Sequence, residues 1–265
     1  VILKATGEWT PTANPLFYAT YSEGFPAGLL TRPGGASGPN NYTVPYAVDT
    51  DEVKNYEIGW KTELFDNSLR FNGSAFFVDI EGLQTTIFDP SIVNLFFSDN
   101  AANAEIQGLE GDFTWAPASV DGLTIAGAFS LLDTEITEVL VPTDDVVEGS
   151  DLAFAPAYQG NLRVRYEWDL EQEVAGQRLT AHVMPQIVFS DDSVSDVIEI
   201  NKMELDGYVT LGGSMGVTGD NWGAEIFASN LTNEYAELSG SFVYDRERIT
   251  PMRPRTIGIR VSYDY

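Results

Sequence analysis

Arg255-Thr256-Ile257-Gly258-Ile259-Arg260-Val261-Ser262-Tyr263-Asp264-Tyr265 alternates without a break. Ile257, Ile259, Val261, Tyr263 and Tyr265 fall on one face with Arg255, and Thr256, Gly258, Arg260, Ser262 and Asp264 fall on the other. A strict period of two over about ten residues is a β-strand with one apolar and one polar face. The same pattern recurs upstream. Leu162, Val164, Tyr166 and Trp168 alternate with Asn161, Arg163, Arg165 and Glu167. Leu179 to Phe189 and Val209 to Val217 alternate likewise. Segments around 2–10, 15–22, 52–64, 68–80, 104–116, 122–132 and 221–231 complete a set of about eleven strands.

The connections between these strands alternate in length. Short ones fall at 11–14, 66–67, 117–121, 170–177 and 219–220, and long ones at about 23–50, 89–101, 135–155, 190–204 and 232–254. In an up-and-down meander this sorts every long loop to one end, as in outer-membrane barrels with short periplasmic turns and longer outer loops. A β-sandwich has no reason to sort its loops. Tryptophans mark the short-turn end: Trp9, Trp115 and Trp168 precede short connections, Trp222 follows one, and Trp60 lies within half a strand of another. With Tyr263 and Tyr265 they predict an aromatic girdle at one membrane interface. A one-residue slip of strand 160–168 would turn Arg163 and Arg165 into lipid at about 2–4 kcal/mol each, so the polar face must line a wet or protein-filled lumen. The expected fold is all-β, an antiparallel up-and-down transmembrane β-barrel.

Composition excludes several functions. The 265 residues hold 40 Asp+Glu against 14 Lys+Arg, a formal charge of −26, with no cysteine and one histidine. Disulfides, thiol chemistry and a multi-histidine metal centre are excluded, and so acidic a surface repels nucleic acid. A hydrophobic content of 43% is too high for a disordered acidic chain. No apolar run approaches the length of a spanning helix, which leaves a barrel open.

The stretches Asn55 to Glu63 (NYEIGWKTE) and Leu69 to Phe77 (LRFNGSAFF) resemble the barrel of TonB-dependent outer-membrane receptors. So do Tyr18 to Phe25, Gly108 to Phe113, Asn230 to Asn233 and Pro254 to Tyr263, all in the family's order across the chain. The resemblance implies a 22-stranded barrel closed by an N-terminal plug and a short periplasmic segment that engages TonB. Eleven is odd, whereas single-chain bacterial barrels have even counts, and Val1-Ile2-Leu3-Lys4 carries no targeting signal. Residues 1–265 are therefore expected to be the C-terminal part of the barrel, roughly half, with plug and N-terminal strands lying elsewhere.

The family resemblance further implies location in the bacterial outer membrane. Its implied function is TonB-energised uptake of a scarce bulky nutrient, most often an iron–siderophore complex. Implied partners are the lipid bilayer and lipopolysaccharide, the plug and remaining strands, the TonB complex and a small-molecule nutrient. Cobalamin or oligosaccharide uptake and a passive porin are the alternatives. An enzyme would need His182 as base, yet no serine nucleophile stands at a defensible spacing, so no catalytic residue and no cofactor is assigned. Ligand-binding candidates come from the long loops: Phe25, Tyr42 and Tyr46 in the first, Phe96 and Phe97 in the second, and Phe242, Tyr244, Arg246 and Arg248 in the last. Aromatic faces beside guanidinium groups suit anionic or aryl-rich chelates; the other reading is loops packing on one another. Acid clusters at Asp49, Asp51 and Glu52, at Asp144-Asp145 and at Asp191-Asp192 lack EF-hand spacing, and no metal site is assigned.

Overall fold

The computed structural model describes residues 2–12, 14–31, 34–38, 41–89, 91–93, 96–174, 176–242 and 246–264. In chain order its strands are β1 (Lys4–Trp9), β2 (Leu16–Gly24), β3 (Leu29–Leu30), β4 (Ala47–Val48), β5 (Glu52–Leu64) and β6 (Leu69–Ile87). Then come β7 (Phe97–Trp115), β8 (Leu123–Val139), β9 (Tyr158–Val174), β10 (Gln177–Ser190), β11 (Ser193–Val194) and β12 (Glu204–Leu205). The last are β13 (Tyr208–Thr218), β14 (Trp222–Ser229), β15 (Glu237–Phe242), β16 (Glu247–Pro251) and β17 (Thr256–Tyr263). Eleven form one sheet in the order β1-β2-β5-β6-β7-β8-β9-β10-β13-β14-β17, every neighbour antiparallel. It is a meander, open at β1 and β17. The six short strands pair off inside the long loops as β3 with β4, β11 with β12 and β15 with β16.

All eleven wall strands lie where the alternation predicts them. Four are longer than predicted: β6 and β7 have 19 residues each, and β8 and β9 have 17 each. The predicted spans follow the apolar-outside pattern, and that pattern stops partway along these strands. The short connection expected at 170–177 shrinks for the same reason, because β9 and β10 pair on to Val174 and Gln177.

Cross-strand rows show the change of pattern. On the outward face, the row Ile58–Ala75–Leu109–Leu131 is apolar. The next row toward the loops, Tyr56–Phe77–Gln107–Asp133, is mixed, and the one after, Lys54–Asp79–Glu105–Glu135, is charged. The inward face runs the other way. Lys61–Asn72–Asp112–Ala128 and Gly59–Ser74–Glu110–Ser130 are mostly polar, whereas Val53–Ile80–Ala104–Ile136 is apolar. The two faces thus exchange polarity at one level. Below it the outward face suits hydrocarbon; above it that face is charged and the inward side chains are covered by loops. Outward positions from Tyr56 to Leu64 cover roughly 27 Å of strand, or about 21 Å of depth at a tilt of about 40°, close to the height of an outer-membrane apolar band.

What covers the upper inward face is a packed core built from loops. Val44, Ile87, Ile92, Phe97, Ile136, Val141, Val146, Val197 and Ile198 are all buried in it, together with Ala101, Ala102 and Ala104. These side chains come from the loops 25–51, 88–96, 140–157 and 191–207 and from the upper ends of β6, β7 and β8. Burying a side chain of this size is worth about 1.5–3 kcal/mol. Register shifts in β6 around Leu83 and in β7 at Asn103/Ala104 bend the wall where this cap begins.

Candidate functional site

Two inward-facing regions carry polar chemistry: the wall beneath the cap, and the cap with its loop rim. On the wall, Tyr18 donates its hydroxyl hydrogen to Glu57 Oε1 at 2.6 Å. Tyr18 pairs across the ladder with Gly59, where a Cβ would stand 2.4 Å from the ring. Only glycine lets the ring lie across β5 and reach the carboxylate. Asn72 Nδ2 donates to both Asp112 oxygens at 3.2 and 3.3 Å, and Ser74 reaches Glu110 at 3.5 Å. Tyr18, Lys61, Asn72, Ser74, Glu110 and Asp112 line a groove of about 510 Å³. Farther round the wall, Arg165 forms an ion pair with Glu167 at 2.7 Å, and Arg260 pairs with Glu225. The inward carboxylates are thus held partly by neutral donors, Tyr18, Asn72 and Ser74, and partly by the cations Arg165 and Arg260.

At the rim, the nine loop residues singled out by sequence divide. Phe97 is 1% exposed in the cap core, its ring 6.4 Å from that of Tyr42. Tyr42 donates to Asp99, and burial, followed by that bond, pushes its phenol above the usual tyrosine range. Both side chains hold loops together. Phe96, one residue before Phe97, is 57% exposed and packs against Phe88 with tilted rings 4.8 Å apart. Phe25 and Tyr46 are exposed on the first long loop, Tyr46 at 75%. Phe242 is half-buried at the end of β15, and Arg246 and Arg248 are exposed beyond it. Tyr244 lies outside the described residues. The loops are also tied by polar bonds: Asp89 accepts from the Ser91 amide and hydroxyl and from the Thr143 hydroxyl at 2.9 Å. Burial pushes the Asp89 carboxyl up, but these bonds and one from the Ile92 amide outweigh it and hold it below the usual range.

The predicted girdle residues share the outward face. Trp9 stacks on Phe17 at 5.6 Å, Trp60 packs against Phe71 at 5.6 Å and Trp168 stacks on Tyr166 at 5.6 Å. Trp222 pairs across the ladder with Tyr263, and Trp115 ends β7. Tyr265 lies outside the described residues. His182, the only histidine, faces inward from β10 beside Glu225, a neighbour that sequence spacing gave no means of finding. Their meeting depends on the pairing register of three strands. Among the described residues, no group of three or more His, Asp or Glu side chains could hold a metal ion.

The TonB dependent receptor-like β-barrel family model matches residues 4–233. The metal-pseudopaline receptor CntO of Pseudomonas aeruginosa is 29% identical over 161 residues, which is 60% of this chain and 21% of that protein. The ferric yersiniabactin uptake receptor FyuA from Yersinia pestis superimposes with a TM-score of 0.72 at 16% identity, over 99% of this chain and 37% of that one. The siderophore receptor PiuA from Acinetobacter baumannii gives 0.71 at 21% identity, over 99% of this chain and 35% of that one. This chain thus spans well under half the length of each relative. The meander, the apolar outward band, the loops gathered at one end and the family match agree: the chain belongs to the TonB-dependent receptor β-barrel family of the Gram-negative outer membrane.

Proposed function

We propose that this chain forms part of a receptor that takes up a metal–chelate complex, most readily an iron–siderophore, in a TonB-energised step. Family membership carries the reading, and the cargoes named for the relatives, ferric yersiniabactin and a metal–pseudopaline complex, support it. In this reading the eleven strands are the C-terminal part of a barrel of about twenty-two. The open edges β1 and β17 support that, since unpaired backbone groups are not tolerated in lipid. The plug and the TonB-engaging segment belong to the rest of the protein, and the lumenal charges face the plug. Trp9, Trp60, Trp115, Trp168, Trp222 and Tyr263 anchor the periplasmic interface, and the acidic outward rows above the band face lipopolysaccharide.

Within the loops, ligand contact falls to the exposed groups Phe25, Tyr46, Phe96, Arg246 and Arg248 rather than to Phe97 and Tyr42, which serve the cap. The test is uptake of radiolabelled iron and other metal chelates by cells lacking the receptor and complemented with the full-length gene. Uptake of at least one chelate that requires both the receptor and TonB is expected, with Tyr46→Ala plus Arg246→Ala raising the half-saturating concentration several-fold. Uptake independent of TonB would replace this reading with a passive porin.

A further inference from the structure

One row of cross-strand partners crosses five strands: Glu167 on β9, His182 on β10, Gly216 on β13, Glu225 on β14 and Arg260 on β17. Neighbouring strands lie about 4.8 Å apart, so His182 and Glu225, two strands apart, start from backbones separated by roughly 9.6 Å. They meet because the position between them carries no side chain. A Cβ at Gly216 would stand 2.4 Å from the Ala224 carbonyl oxygen and 2.6 Å from the Glu225 Cβ. Across that gap, His182 Nε2 lies 3.3 Å from Glu225 Oε2.

The contact is close but is not a hydrogen bond. His182 Nε2 has no hydrogen-bond partner although its side chain is only 6% exposed. A nitrogen so buried is normally paired. Two polar atoms that are close without being aligned on each other can both be aligned on a third. With metal–nitrogen and metal–oxygen bonds of about 2.1 Å, the 3.3 Å separation closes an angle of about 104° at a metal ion, between the octahedral and tetrahedral values.

The surroundings suit that use. Glu225 is steadied through its other oxygen by Arg260, whose guanidinium lies 5.1 Å from the Phe227 ring centre. Outer partners of this kind fix a ligating carboxylate. Arg165, which also lines the cleft, is ion-paired with Glu167 at 2.7 Å. The cleft holds about 190 Å³ and is lined also by Thr218 and Ser262, which leaves room for water or a chelator's donors.

We infer that His182 and Glu225 form a two-ligand contact for a divalent transition-metal ion on the inner wall. Imidazole with one carboxylate selects copper, nickel or zinc over calcium or magnesium. Two protein ligands make the contact weak and reversible, and its remaining positions are filled by donors that arrive with the metal.

The test uses the full-length receptor in detergent micelles with Cu²⁺ as probe, since copper heads the affinity order. Wild type, His182→Gln, Glu225→Gln and Gly216→Ala are compared by titration and by electron paramagnetic resonance, with folding checked by heat-modifiable mobility. Each variant is expected to lose one copper site or weaken it by about tenfold or more. Wild type minus His182→Gln is expected to show hyperfine coupling to one imidazole nitrogen. Gly216→Ala keeps both ligands and blocks their approach, so its loss reports the geometry. Equal affinity and the same spectrum in wild type and the folded variants would overturn the inference. If His182→Gln does not fold, unchanged copper binding in Glu225→Gln and Gly216→Ala would overturn it equally.

Discussion

Phe96 and Phe97 are adjacent in sequence and opposite in role, and replacing each by alanine separates the cap from the rim. Phe97 is 1% exposed and packs among Val44, Ile87 and Ile136, so its truncation leaves a cavity in a core built from four loops. A buried Phe→Ala change costs about 3–5 kcal/mol. That raises the open population of the cap by roughly 200- to 5,000-fold, at 1.36 kcal/mol per factor of ten. Phe96 is 57% exposed and touches Phe88, and its truncation should change stability by no more than about 0.5 kcal/mol, near twofold. Amide hydrogen exchange on the full-length receptor in micelles reads the difference. Amides that close the cap, among them Leu140 to Ala101, Gly149 to Ile136 and Phe154 to Val194, should exchange faster by the stated factor in Phe97→Ala. Amides of β9, β10 and β13 below the cap should not change. Unchanged cap amides, or equal acceleration in the wall, would refute the idea of a separately packed cap.

Three further outcomes follow from the same geometry. Ile226→Arg, on the outward face of β14, should destabilise the barrel by about 2–4 kcal/mol, whereas Ser130→Lys, inward and paired with Glu110, should change the urea midpoint in lipid vesicles little. Tyr42 has its phenol pKa raised in the folded cap, so its contribution is complete below about pH 10 and is lost as pH rises toward the folded value. Cap exchange corrected for intrinsic rate should therefore accelerate above pH 10 in wild type and lose that dependence in Tyr42→Phe. Asp89 runs the other way: its folded pKa is lowered, so its contribution is present above about pH 4 and lost as pH falls through the folded value. Proteolytic nicking of loop 140–157, which Asp89 ties through Thr143, should rise in acid in wild type and at all pH values in Asp89→Asn.

The wall was legible in the sequence because lipid enforces a simple rule on every second residue. β17, β9 and β10 follow it, and the alternation of short and long connections gave the order of the meander. The cap was not legible. Val44, Ile92, Phe97 and Val146 lie in loops or at a strand's end, with no period linking them, and nothing local separates Phe97, which packs inside, from Phe96, which does not. The same limit explains why Tyr42 stood beside Tyr46 as a ligand candidate. One bonds Asp99 within the core and the other is 75% exposed, a difference made by the fold of the first long loop. The pairing of His182 with Glu225 lay further still from view. The residues are 43 positions apart by their numbers, and their contact requires two registers and the glycine between them.

The exchange of polarity between the two faces also sets how deep the wall sits. Lowering the sheet by one row would carry Gln107 and Asp133 into hydrocarbon; raising it would lift Ile58 and Leu131 into water. Either displacement is opposed on several strands at once. The long loops are consequently held at a defined height above the bilayer, because the same strands that float the barrel also form the floor of the cap.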